Sequence, residues 1–219
     1  MAKIGIRKKP GKVLNDRLLA AAKDGNVAAI EQAIKEGAQV DAQGDGQSTA
    51  LQYAAWHGHA NATIALLEAG AKIDQADKDD NGPLHFAAYD GHLDVVKALL
   101  EAGAKINVQN QRQNTPLALA VCNGHITTVK SLLEGGADVD IQDIDERTAL
   151  HWAAHTGNTE IAKLLLAAGV SPTIEDTNRH KPFEVARDKG HDELAKYLQS
   201  VADGKNETSD SGRGEAGYG

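Results

Sequence analysis

The chain has 219 residues, 23 of them Lys or Arg and 31 Asp or Glu, for a formal net charge of −8 at neutral pH. With 41% hydrophobic and 25% charged residues it reads as a soluble, core-burying chain, and no apolar run approaches the roughly 20 residues of a membrane-spanning helix. A single cysteine, Cys122, excludes an intramolecular disulfide or a four-cysteine metal site and fits a reducing compartment.

Residues 1–12 carry Lys3, Arg7, Lys8, Lys9 and Lys12 with no acid, and read as a flexible basic arm. Ile4 and Ile6 do not build the apolar stretch of a secretory signal, and the arm lacks the serines and arginines of a transit peptide. A cytoplasmic setting with nuclear access is the expectation. From about residue 13 to 202 the chain repeats with a period of 33. Leu18, Leu51, Leu84, Leu117, Leu150 and Phe183 form one ladder, Gly25, Gly58, Gly91, Gly124, Gly157 and Gly190 a second, and Gly37, Gly70, Gly103, Gly136 and Gly169 a third. A fixed period of this size signals a stack of small units rather than one conventional core. Each unit predicts a turn and two helices of about nine residues. Thr49, Thr115 and Thr148 stand where a hydroxyl caps a helix start, Pro83 fits the first helical position, and the glycines close each helix. Such short helices are not stable alone, so stacking must hold them. Residues 203–219 are polar and glycine-rich and are expected to be disordered.

The segments Gly82-Pro83-Leu84-His85-Phe86-Ala87-Ala88, Thr115-Pro116-Leu117-Ala118-Leu119-Ala120 and Thr148-Ala149-Leu150-His151-Trp152-Ala153-Ala154 resemble the T-P-L-H-x-A-A signature of ankyrin repeats. Leu99-Leu100-Glu101-Ala102-Gly103-Ala104 is similar to the L-L-x-x-G-A ending of the same motif. The resemblance implies an all-α solenoid of six helix-turn-helix units with β-hairpin fingers and with first helices lining a concave face. The polar Asn15-Asp16-Arg17 and the charged Arg187-Asp188-Lys189 suit closing caps. Asp80, at a turn position usually held by glycine, is expected to alter the third finger, and Ser171-Pro172-Thr173 to alter the last one.

Motifs that carry chemistry elsewhere fail on context. Gly212-Arg-Gly-Glu-Ala-Gly217 satisfies G-x-G-x-x-G but lacks the preceding strand and following helix of a dinucleotide site. His151 and His155 are spaced as in a zinc protease, yet Trp152 replaces the general base and no third ligand is evident. No nucleophile, base and oxyanion donor come together, so no enzyme, cofactor or metal is expected. The histidines at 59, 92, 125 and 191 follow the helix-ending glycines, and in the family they tie neighbouring turns. By resemblance Asn107 is a candidate for hydroxylation, while Thr208, Ser209 and Ser211 beside acids are candidates for phosphorylation.

Binding residues are sought where the skeleton leaves positions free. One row ends the first helices: Trp56-His57, Tyr89-Asp90, Cys122-Asn123 and His155, with the aromatic rings of Trp56 and Tyr89 as anchors. Tyr53, Phe86 and Trp152, three positions earlier, are assigned to the core. The second row holds the finger tips, with Asp45, Lys78, Asp79, Arg112, Ile144 and Arg147. An acidic body disfavours nucleic acid and suits a protein partner with a basic surface. The expected function is a protein-interaction module (adaptor, inhibitor or assembly chaperone), monomeric on its own, with no membrane contact. The alternative is a permanent subunit of a larger assembly, tethered by its terminal arms.

Overall fold

Glycine punctuates the chain into helices as the 33-residue period predicts. A computed structural model describes residues 10–204, which fold into α1 (Pro10–Lys23), α2 (Val27–Lys35), α3 (Ala50–Trp56), α4 (Ala60–Glu68), α5 (Pro83–Tyr89), α6 (Leu93–Glu101), α7 (Pro116–Cys122), α8 (Ile126–Glu134), α9 (Ala149–Thr156), α10 (Thr159–Ala167), α11 (Pro182–Asp188) and α12 (Asp192–Ala202). Helix α1 starts inside the segment expected to be a flexible arm, because Pro10 suits a first turn. Lys3, Arg7, Lys8, Lys9, the dinucleotide-like stretch and the tail threonine and serines lie outside the described residues. The first helices α3, α5, α7 and α11 span only seven residues, shorter than expected.

Two parallel rows result. The first helices α1, α3, α5, α7, α9 and α11 pack side by side, and the second helices α2, α4, α6, α8 and α10 form a layer behind them. Leu51, Leu84, Leu117 and Leu150 are buried from the first row, Leu66, Leu99, Leu132 and Leu165 from the second, and Leu198 from α12. Each contributes about 2 kcal/mol of burial, which a helix of two turns could not gain alone. Thr63 and Thr128 interrupt this apolar layer: both are fully buried and neither hydroxyl finds a hydrogen-bond partner. The equivalent helix positions hold Val96 and Val129 beside Thr63's slot, and Val95 and Ile161 beside Thr128's. Thr63→Val and Thr128→Val should each raise stability by about 1 kcal/mol in urea unfolding, since an unsatisfied hydroxyl becomes a packed methyl.

The turns between units are the next element that the sequence dictates. Asp77 Oδ1 accepts from the backbone N–H groups of Asp79 and Asn81, both at 2.9 Å, and Asn110, Asp143 and Asp176 repeat the arrangement. Two backbone bonds close each of these turns, as from Asp77 N to Asn81 O and from Asp80 N to Asp77 O, and one links it to its neighbour, as from Gln111 N to Asp79 O. So few ladder bonds make tight turns, and among the described residues no strand forms where β-hairpin fingers were expected. The first turn has Gly44 where the others have Asp or Asn, and Asp45–Gln47 form a 3-10 turn instead. Asp80 does not alter its finger: Gln47, Asp80, Gln113, Glu146 and Arg179 all adopt the left-handed conformation at the same place. Nor does Ser171-Pro172-Thr173 alter the last finger, which closes through Asp176 N to His180 O at 3.0 Å.

Candidate functional site

Periodicity also builds the surface on which partner residues were sought. At the ends of α1 and α3, a side chain leans over the following unit. Lys23 Nζ lies 4.2 Å from the ring centre of Tyr53, and Trp56 stacks on Phe86 with ring centres 5.4 Å apart. Tyr89 and Leu119 line the same surface one unit further on. Together with Asn81, His85, Asn110, Arg112 and Asn114 these side chains enclose a groove of about 360 Å³ between the first helices and the fingers. Trp56 is 46% exposed and Tyr89 50%, far more than core aromatics allow.

Histidines fix the backbone beneath both rings. His92 Nε2 donates to Trp56 O at 3.0 Å and His125 Nε2 to Tyr89 O at 2.9 Å, and His59 and His191 repeat the tie at Lys23 O and His155 O. A buried histidine also anchors the finger side of the groove. His85 Nδ1 accepts from Gly82 N at 3.0 Å, which leaves Nε2–H to donate to Asn114 O at 3.1 Å. His151 does the same between Thr148 N and His180 O, so both its nitrogens are engaged and neither is free to ligate a metal with His155. Among the described residues no cluster of three or more His, Cys, Asp or Glu side chains is placed to hold a metal ion. Asp74 and Asn107 link units from the other side, each accepting a backbone N–H of the next unit, from Lys105 and Asp138 respectively.

Burial pushes the pKa of His85 and His151 down, against the opposing pull of the carbonyls that their Nε2 groups face. Protonation would place a second N–H against a backbone donor. In the unfolded chain these groups titrate near 6.5, so below that pH the unfolded state binds more protons than the folded one. Stability should therefore hold above about pH 6.5 and fall as the pH drops towards 5, and His85→Gln should flatten that fall in thermal melts. Unchanged melting between pH 7.5 and 5 would contradict the neutral assignment.

The expected binding residues divide. Trp56, Tyr89 and Arg112 share the groove, and Lys78 and Asp79 sit at the adjoining finger tip, paired with each other at 3.2 Å. Arg147 and His155 line a separate depression of about 210 Å³ with Asp176, His180, Asp188 and Lys189. There Arg147 is engaged by Asp145 at 3.2 Å, and burial, followed by Lys189, Arg147 and His191, depresses the pKa of His155. Asp45 borders a third depression, near Lys23 and Tyr53, and Ile144 projects from its finger, 58% exposed. His57, Asp90, Cys122 and Asn123 do not line the groove. His57 Nδ1 and Asn123 Nδ2 bond instead to carbonyls of their own helices, and half-burial raises the pKa of the Cys122 thiol. Among the three aromatics assigned to the core, Tyr53 is buried, whereas Phe86 and Trp152 are half-buried. Asn81 and Asn114, at the finger tips where binding residues were expected, do line the groove, whereas Phe86, Asn110 and Leu119 are groove residues that sequence reasoning missed. The signal available for Phe86 was its place three positions before Tyr89, the equivalent of Trp56 in the next unit.

Among the described residues no helix is long and apolar enough to cross a membrane. A family model described as ankyrin repeats (3 copies) matches residues 14–77, 74–143 and 117–209. No curated protein matches the chain.

Proposed function

Because the chain belongs to the ankyrin repeat family, we propose that its six units form a protein-interaction module, an adaptor, inhibitor or assembly chaperone without catalytic activity. Repeats of this family generally bind proteins. One observation carries the assignment of the surface: Trp56 and Tyr89, half exposed in adjacent units, stand over a groove while the rest of the skeleton is occupied with tying units together. Large amphipathic rings in a partly desolvated pocket are the commonest anchors of an interface, each contributing about 2 kcal/mol or more when truncated.

The test is recovery of binding partners from a lysate by the full chain and by its Trp56→Ala and Tyr89→Ala variants. Each substitution should weaken capture of the same protein by roughly thirtyfold or more. Equal capture by both variants would remove the groove from the interface.

A further inference from the structure

The chain as a whole is acidic, at −8, but the groove is not. Among its nine lining residues Arg112 carries the one formal charge, and none is a carboxylate. Arg17 pairs with Glu36 at 2.6 Å and Arg147 with Asp145 at 3.2 Å, whereas the Arg112 guanidinium makes no ion pair or hydrogen bond among the described residues. Asp79, which lines an adjoining depression with Arg112, pairs with Lys78 at 3.2 Å and makes no ion pair with Arg112. Beside Arg112, Asn110 is engaged at both ends of its amide: its Oδ1 accepts from Arg112 N and Asn114 N, and its Nδ2 donates one bond to Asn81 Oδ1. Asn81 Nδ2 and the whole side-chain amide of Asn114 stay unengaged among the described residues. Opposite them stands the aromatic wall of Trp56, Phe86 and Tyr89.

We infer that the groove takes an extended acidic segment of a partner protein, in which one large apolar side chain packs on Trp56 and Tyr89 while a carboxylate beside it in sequence pairs with Arg112. The inference rests on the reading that this groove binds protein, and it reverses the sign expected from the overall charge. Each unengaged group has a counterpart in such a segment. The guanidinium matches a carboxylate in a forked geometry, and an asparagine amide can both donate to and accept from an extended main chain. A basic segment would instead bring a like charge against Arg112, with no carboxylate among the groove's own lining residues to offset it.

Panning a library of random dodecapeptides displayed on phage against the full chain tests this directly. The enriched pool should combine Trp, Phe or Leu with Asp or Glu within about three positions, the reach of neighbouring side chains along an extended strand. By fluorescence polarisation, Arg112→Glu should weaken a selected peptide by about tenfold or more, and changing the peptide's acid to Lys should restore binding to the variant. That charge-swapped recovery would not follow from a merely structural role for Arg112. A pool rich in Lys and Arg, or an affinity indifferent to Arg112→Glu, would overturn the inference. So would tighter peptide binding after deletion of residues 205–219, which would make the chain's own tail the occupant, or self-association lost on Arg112→Glu, which would make it a second copy. If Trp56→Ala and Tyr89→Ala abolish partner capture while Arg112→Glu leaves it intact, the proposed function stands and only the acidic ligand falls.

Discussion

Replacing Gly91 by alanine is expected to lower the unfolding free energy by about 3 kcal/mol, while the same change at Gly124, one unit on, costs about 1 kcal/mol. Both glycines adopt the left-handed conformation, with φ of 73° and 74°, so both substitutions incur the same backbone strain. They differ in what lies beyond. A Cβ on Gly91 would collide with the ring of His125, which packs against the glycine to reach Tyr89 O, whereas at Gly124 the nearest atom is Asn158 Nδ2 at 3.7 Å. Asn158 is turned away to cap α10 through Ile161 N. The added cost at Gly91 is thus the loss of a tie between units, and the double variant Gly91→Ala with His125→Asn should recover part of it. Equal costs at the two glycines in urea titration would show that the imidazole contributes nothing.

The second large effect is expected in the middle of the helix layer. Leu99→Ala should cost about 3 to 4 kcal/mol, within the usual range for a buried leucine whose surroundings cannot collapse. Leu99 is fully buried in α6, which packs between α4 and α8, and it shares a core cluster with Leu132 of α8, so the cavity opens at a junction between units. Its sequence neighbour Leu100 is only half-buried, and Leu100→Ala should cost about 1 to 2 kcal/mol less. Position along the stack also matters, since each unit contacts only its neighbours. A weakened central junction should let the two halves melt less cooperatively, which a lower urea m-value would register. An unchanged m-value with the same loss of stability would mean that the stack still unfolds as a single unit.

What could be read from the amino acids follows from which positions repeat. The leucine and glycine ladders recur because every unit needs the same buried contact and the same left-handed turn, so helix number, order and register were legible. Asp80 does take up the left-handed conformation, but its finger was wrongly expected to differ, because the left-handed residue stands at the same place in each finger, where Gln47, Gln113, Glu146 and Arg179 accept it as well. The side chain that organises each finger lies three residues earlier, at Asp77, Asn110, Asp143 and Asp176, and at Gly44 its absence gives the 3-10 turn. Phe86 was assigned inward by comparison with Leu119, yet both border the groove, since a position on a short helix can face a core and a cleft together. The sign of the groove was not legible at all. It depends on which side chains line the groove, Arg112 being the one charged residue there while Asp79 pairs with Lys78 outside it, an arrangement of exposed charges that no spacing encodes.

These strands meet in one claim: Trp56 and Tyr89 belong to the surface and not to the skeleton, although Tyr89 lies two residues from Gly91. Thermal unfolding of the Trp56→Ala, Tyr89→Ala double variant measures this most directly. The account predicts a cooperative transition within about 5 °C of the parent chain, since only half-exposed rings are removed and 1 kcal/mol shifts a domain of this size by roughly 2 to 4 °C. A melting temperature lowered by more than about 10 °C, comparable to the effect expected of Gly91→Ala, would place the two rings within the fold's own stabilising core and contradict the account.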